Sequence, residues 1–339
     1  MPDDLLGDLL KQVSRSFYLS LAILPRDLRE PLGLAYLLAR AADTVADTRL
    51  LPRAERVRHL TTLRAAYAGD GADVAAAAAA AEPLAAHAAE RRLLGRVDEA
   101  LARVQRLPEA DRRAVREVLA TLTSGMLFDL TRFPGEDAAA PAALDTLEEL
   151  DHYTYLVAGC VGPFWTRLHA AHRRRLRGWD VGERSAEAVR FGQGLQMTNV
   201  LRDAPADLRL GRCYLPRAEL AVLGLEPGDL LDPAGAARAR PLYRRLLART
   251  LEHYDVAWRY TLAIPIAEWR MRLACLWPLM IGAATLRLLA RHPDPLAPGP
   301  PIRIPRAAVR RLVARSLVIT WSNAAVGATA ASLRRQVAL

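Results

Sequence analysis

The chain is poor in lysine, cysteine and strand-forming pattern. Lys11 is its only lysine, so nearly all of its 47 basic residues, and with them the net charge of +10, are arginine. An arginine excess suits anionic partners such as diphosphates or acidic lipid headgroups. Alanine is equally inflated, so compositional bias accounts for the excess as well, and charge alone does not signal nucleic-acid binding. With no zinc-finger or RNP-like motif, no nucleic-acid partner is expected. Cys160, Cys213 and Cys275 stand far apart and form no CxxC. An odd count without a pairing pattern fits a reducing cytoplasm. The opening Met1-Pro2-Asp3-Asp4 is acidic and lacks an apolar h-region, so no signal peptide is expected. The longest apolar run, residues 273–286, contains Pro278 and is too short for a membrane span; it reads as a buried core helix. These absences point to a cytoplasmic protein, soluble or peripheral to a membrane. No segment alternates as a strand does, which argues against a sheet protein, and no fixed-period repeat suggests a solenoid.

What remains is helix. At 339 residues and 52% hydrophobic, the chain can bury a large core. Helical periodicity covers 5–20, a segment after Pro25 and Pro31 closing near Thr48, then 53–67, 90–106 and 109–131. It resumes from a cap at Asp145 or Thr146, over 183–203, 240–262 and 267–291, and in a last helix over about 305–338. The alanine run 74–81 has high helix propensity and little to pack. Gly69-Asp70-Gly71, the stretch from Phe133 to Pro141, residues 225–235 and the connector 292–301 read as turns and loops. The expectation is one all-α domain over 1–339, with its core in 10–290, and a monomer.

Two acidic patterns interrupt this apolar helical background. Asp43 and Asp47 are spaced i, i+4, one turn apart on one face, with Arg40 just before them. Stacked acids on an apolar helix are costly unless something neutralises them, and a hard divalent cation shared with a substrate phosphate would do so. The second pattern is Asn199, Asp203 and Asp207 at i, i+4, i+8, with Gln196 a turn earlier. Two such stripes on facing helices could hold Mg2+ ions bridging to a diphosphate. Pro205 removes a helical N–H and crowds the carbonyl of Leu201, which threatens the place of Asp207.

The order of motifs resembles that of the squalene/phytoene synthase family, the head-to-head prenyl synthases, over roughly residues 10–290. Ser14-Arg15-Ser16-Phe17 resembles its flap motif. Tyr36, Arg40 and Asp43-Thr44-Val45-Ala46-Asp47 resemble its first aspartate motif. Tyr153 through Val157-Ala158-Gly159 to Gly162 is similar to its YxxxVAGxVG segment. Gln196 to Asp207, followed by Gly211-Arg212-Cys213-Tyr214-Leu215-Pro216, resembles its second aspartate motif and the GR-x-[YF]-x-P that trails it. The resemblance implies an all-α isoprenoid synthase fold with a central apolar tunnel. It implies Mg2+ on Asp43, Asp47, Asn199, Asp203 and Asp207, and two farnesyl diphosphates held by Ser14, Arg15, Ser16, Phe17, Tyr36, Arg40, Val157, Ala158, Gln196, Asn199 and Arg212. It also implies that Tyr153 stabilises an allylic cation or assists proton removal.

Within the family, Cys275 with Pro278, and Pro301-Ile302-Arg303-Ile304-Pro305-Arg306, resemble segments of the squalene-forming members. That implies NADPH, with Arg303 and Arg306 on its phosphates. The same basic residues also read as a solvated helix start. Neither acid motif has the adjacent aspartates of DDxxD, which argues against a head-to-tail synthase or a cyclase. His169 and His172, beside Arg173-Arg174-Arg175, are poor metal ligands. The tryptophans read as core or interface anchors. The arginine-bearing last helix reads as a solvated face, or as a surface for anionic lipid.

Overall fold

The computed structural model describes residues 4–14, 18–297 and 302–337. Its helices are, in order, α1 (Leu10–Ser14), α2 (Tyr18–Ala22), α3 (Arg26–Asp47), α4 (Arg53–Ala68), α5 (Val74–Ala81), α6 (Ala88–Leu94), α7 (Val97–Gln105) and α8 (Glu109–Arg132). Then come α9 (Leu147–Thr154), α10 (Val161–His172), α11 (Val181–Arg209), α12 (Arg217–Val222) and α13 (Pro233–Arg238). The chain closes with α14 (Arg240–Ala263), α15 (Trp269–Arg291), α16 (Arg306–Ile319) and α17 (Asn323–Val337). Among the described residues the fold is all-helical apart from one short parallel pair, β1 (Ala142–Ala143) with β2 (Arg212–Cys213). Contacts divide it into two compact units: residues 1–130 with 163–185, and residues 131–162 with 186–339.

In the first unit α3 is the organising element and packs against α4, α5, α6 and α7. Two buried side chains tie down its backbone. The Tyr67 hydroxyl donates to the Leu38 carbonyl at 2.9 Å. Arg56, fully buried, donates to the Ala46 carbonyl at 3.0 Å, placing a cation at the negative end of the helix. The alanine run has more to pack than its composition suggested. Val74, Ala77, Ala78 and Ala81 are buried, because side chains this small let α5 lie close against α3 and α4. The Asp73 carboxylate accepts from Ala76 N and caps α5.

In the second unit α15 is surrounded by α14, α16 and α17. The segment 266–291 is long and apolar enough to cross a membrane, by length and composition, but 72% of its apolar window is buried in protein. It therefore packs as the core helix expected of it, over a greater length than the apolar run. All three cysteines are buried and free, their thiols pushed up to about 12 by burial, which leaves them inert.

Several sequence expectations need correction: α3 already starts at Arg26 and carries Pro31 inside it, and the expected loop 225–235 is partly helical, over Pro227–Leu231 and the start of α13. The predicted helix 90–106 is two, α6 and α7, broken at Gly95 and Arg96. The last helix is also two: Ser322 Oγ accepts from Ala325 N and starts α17 afresh, while buried Arg272 holds Asn323 Oδ1 at 2.9 Å. A further correction concerns α11, which runs unbroken through Pro205 to Arg209. The reason is a neighbour. Proline cannot donate to the Leu201 carbonyl, and the buried hydroxyl of Tyr243 on α14 donates to it instead, at 3.1 Å.

Candidate functional site

The first stripe lies along α3. From Pro31 to Ala46 almost every residue is buried; Tyr36, Ala39, Arg40 and Asp43 are half-buried and Asp47 is exposed. These five recur at three- and four-residue steps, so they form one line on the helix. Solvent reaches a single polar strip on an otherwise enclosed rod. Arg40 is held at both ends of its guanidinium: Nη1 to Asp43 Oδ2 at 2.6 Å and Nη2 to Glu90 Oε1 at 2.5 Å. Glu90, on α6 and buried, carried no signal in the sequence. It sets the direction of Arg40 and adds a third negative charge beside Asp43.

The electrostatic result is a crowded acid pair that Arg40 offsets only in part. Asp43 has its carboxyl pushed up to about 7, first by burial and then by the Asp47 charge, with Glu90 adding to the rise and Arg40 opposing it. Its side chain still keeps 39% of its surface open, so the carboxyl is crowded yet reachable. Of the upstream residues, Ser14 is buried with its hydroxyl on the Leu10 carbonyl, and the Tyr36 hydroxyl reaches the Val13 carbonyl at 3.5 Å. Arg15, Ser16 and Phe17 lie outside the described residues.

The second stripe lies along α11. Gln196, Asn199, Arg202, Asp203 and Asp207 are half-buried, while Met197, Thr198, Val200, Leu201, Ala204 and Leu208 are buried. With α11 continuous, Asp207 keeps its register with Asp203. Asn199 Nδ2 donates to Gln196 Oε1 at 3.3 Å. Arg202, to which the sequence reading gave no role, forks onto Asp203, Nε to Oδ1 at 2.9 Å and Nη2 to Oδ2 at 2.5 Å. That bond is the main reason the Arg202 pKa rises.

The Tyr153 to Gly162 segment is placed by backbone contact. Residues 155–159 form a π-turn, closed by Cys160 N on the Tyr155 carbonyl at 2.8 Å. Such turns interrupt the regular helical register. This one leaves Val157 and Ala158 half-buried. It lies close against α11 where glycines let the backbones meet. A methyl on Gly192 would come within 2.4 Å of the Ala158 carbonyl oxygen, and one on Gly162 within 2.3 Å of the Ala188 carbonyl. The glycines of the VAGxVG motif are there because two helix backbones meet.

Tyr153, buried, stacks on Tyr214 with ring centroids 4.8 Å apart, and Tyr214 meets Phe133 edge-on at 4.9 Å. One face of the Tyr153 ring is therefore covered. The trailing motif supplies Tyr214. Gly211 ends α11 at φ +77°, where a side chain would strain the backbone, and β2 then pairs with β1 to set Tyr214 beneath Tyr153. Arg212 is half-buried on β2. Arg303 and Arg306 are exposed just ahead of and at the start of α16.

The histidines behave as core. His169 is fully buried with Nδ1 on the Trp165 carbonyl at 2.9 Å, and burial lowers its pKa to about 4. His172 Nε2 sits 2.9 Å from Asp111. Among the described residues no three His, Cys, Asp or Glu side chains converge as a metal cage. The donors present are carboxylate and amide oxygens in open strips, with excess negative charge at Asp43. That set fits Mg2+, which keeps several waters and is bound by one or two carboxylates together with substrate phosphate.

Tyr243 is the test of this local architecture. Tyr243→Phe leaves the Leu201 carbonyl buried and unpaired and is expected to cost about 1–2 kcal/mol in urea denaturation. Adding Pro205→Ala restores an amide donor, so the loss shrinks in the double variant. Equal losses in both backgrounds would show that the hydroxyl does not stand in for the missing N–H.

Comparison with known proteins agrees with the motifs. A family model described as squalene/phytoene synthase matches residues 10–312. A squalene synthase of Schizosaccharomyces pombe is 26% identical over 84% of this chain and 59% of its own length. A bifunctional lycopene cyclase/phytoene synthase of Colletotrichum graminicola is 31% identical over 73% of this chain and 40% of its own. The chain thus spans about two fifths to three fifths of these relatives. Among solved structures, TcSQS in complex with the ligand E5700 superposes with a TM-score of 0.74 at 21% identity, covering 99% of this chain and 97% of that one. A dehydrosqualene synthase in complex with a ligand reaches 0.63 at 19% identity, covering 92% and 94%. At these identities the superpositions speak for the fold alone, an all-helical architecture.

Proposed function

The chain belongs to the squalene/phytoene synthase family, and we propose that it joins two farnesyl diphosphates head to head, through presqualene diphosphate, and reduces the product with NADPH to squalene. The observation that carries the reading is the pair of half-open oxygen strips, Asp43 with Asp47 and Asn199 with Asp203 and Asp207, each set into an otherwise buried helix. Mg2+ bound to those oxygens supplies charge neutralisation for a departing diphosphate.

The chain's own residues do the rest. Arg40, fixed by Asp43 and Glu90, directs its remaining N–H groups to diphosphate oxygens, and Arg212 is proposed to add a second cation; a guanidinium is suited to phosphate recognition. Arg202 neutralises Asp203 until a cation replaces it. Val157 and Ala158 present small apolar surface where a prenyl chain can lie. Tyr153 stabilises positive charge through its ring, or passes a proton to the released diphosphate. The reaction needs water kept from a cation that it would otherwise quench to an alcohol. Arg303 and Arg306 are proposed to meet the NADPH phosphates. On this reading the whole chain acts as one catalytic domain, in the cytoplasm or at a membrane surface.

A second reading has its own support: phytoene synthases of Thermus thermophilus and Arthrospira platensis are 34% and 32% identical over shorter stretches. Incubation with farnesyl diphosphate and Mg2+, with and without NADPH, separates the two. Squalene is expected only with NADPH. A product unchanged by NADPH, or turnover of geranylgeranyl diphosphate alone, overturns the squalene assignment.

A further inference from the structure

The C-terminal part of the second unit exposes an apolar patch that the fold leaves open. Val318 is 75% exposed, Trp321 54% and Leu317 49%. Trp269 lies against Trp321 with ring centroids 5.8 Å apart. The Trp321 indole N–H donates to the Leu317 carbonyl at 3.0 Å. Its polar end is thus satisfied internally, and what meets solvent is hydrocarbon. Exposed aliphatic and indole surface gathered in one place marks a contact site rather than scattered surface residues.

The patch is framed by arginine. Arg270 sits 5.1 Å above the Trp269 ring, and Arg310 and Arg311 are exposed on the preceding turns of α16. Arg311, Ala314 and Val318 share one face of the helix, and Trp321 continues that line just past its end. Arg270, Arg310 and Arg311 have no carboxylate partner among the described residues. From Pro295 to Leu339 every charged residue is arginine. The surface is also held firmly. Trp277 Nε1 donates to Ser316 Oγ at 2.8 Å beneath α16, and buried Arg272 donates to the Ile264 carbonyl at 2.6 Å.

Three occupants can be weighed. A two-fold dimer through this face would set one arginine-bearing patch against another, with no acid on the C-terminal stretch to pair them. Nucleic acid would satisfy the arginines and leave Leu317 and Val318 in water. An anionic bilayer takes both, with phosphates for the guanidinium groups and the acyl boundary for the apolar side chains. We propose that this face docks peripherally on an anionic lipid surface, with Leu317, Val318 and Trp321 entering the headgroup–acyl boundary and Arg270, Arg310 and Arg311 on the lipid phosphates. The inference is independent of the proposed reaction.

Flotation of the full chain with two kinds of vesicle tests it. Protein is expected to float with vesicles of mixed phosphatidylglycerol and phosphatidylcholine, less so in high salt, and poorly with phosphatidylcholine alone. Replacing Leu317, Val318 and Trp321 together by serine lowers the partition on the order of tenfold or more. Arg310→Gln with Arg311→Gln lowers it on the order of tenfold on the mixed vesicles only. All five positions are exposed, so an unchanged thermal melt separates lost docking from lost folding. Absence of flotation, equal flotation of the serine variant, or a dimer in sedimentation velocity that the serine variant abolishes would each overturn the proposal.

Discussion

Asp43→Asn is expected to lower turnover of farnesyl diphosphate by about 10²- to 10³-fold, the scale seen when one preorganised electrostatic contact is removed from an active site. The same variant should melt at the wild-type temperature or above it. Asp43 is crowded by Asp47 and Glu90, and its carboxyl sits at about 7 against an ordinary 3.8, with burial as the first cause. The folded state therefore binds this proton more tightly than the unfolded chain. Stability from the group is present below 3.8 and is lost as pH rises toward about 7. Asparagine has no proton to lose, so the variant should lack that slope. A bound cation also has to displace the proton. The Mg2+ concentration giving half-maximal turnover should then fall as pH rises through about 7 in wild type. Asp203→Asn should cost turnover similarly while releasing Arg202. Full activity in both variants, measured at saturating Mg2+, would remove the metal assignment; a large loss of melting temperature would recast Asp43 as structural.

Gly162→Ala is expected to destabilise the second unit by about 3 kcal/mol or more. The added Cβ would stand 2.3 Å from the Ala188 carbonyl and 2.6 Å from Val189 N. These are backbone atoms of α11 and cannot turn aside as a side-chain end can, so the two helices must separate. Because α11 also carries Asn199 and Asp203, activity should fall further than stability alone requires. Chemical denaturation combined with turnover at a temperature where the variant is folded checks both parts. Gly327→Ala, where an added methyl meets nothing within 4 Å, is the matched control and should be close to neutral. Wild-type stability in Gly162→Ala would mean that the close approach at Gly162 is not required.

Both predictions rest on motifs visible in the sequence, but on properties that were not. Spacing identified Asp43 with Asp47, and Asn199 with Asp203, because a period near four places such residues on one side of a helix whatever surrounds it. It also marked the glycines of the Tyr153 segment, without saying what they approach. Glu90 was invisible: it is 50 residues from Arg40, and one glutamate on a short helix has no pattern. Arg202 stood in plain view, yet adjacent residues on a helix normally point apart, and only the fork onto Asp203 gave it a part. Pro205 misled for a related reason. Local rules say that proline ends the helix; the compensating donor, Tyr243, comes from α14, 42 residues from the Leu201 carbonyl it completes.

The sequence by itself determined that this chain is helical, which helices carry acids, and which family it belongs to, since those follow from periodicity and from residue order along the chain. Tertiary structure alone decided which carboxyl is crowded into holding its proton, which carbonyl needs a borrowed hydroxyl, and which hydrophobic side chains are left in water. Desolvation, hydrogen-bond completion and exposure depend on what other segments bring near, and no window of sequence contains those neighbours.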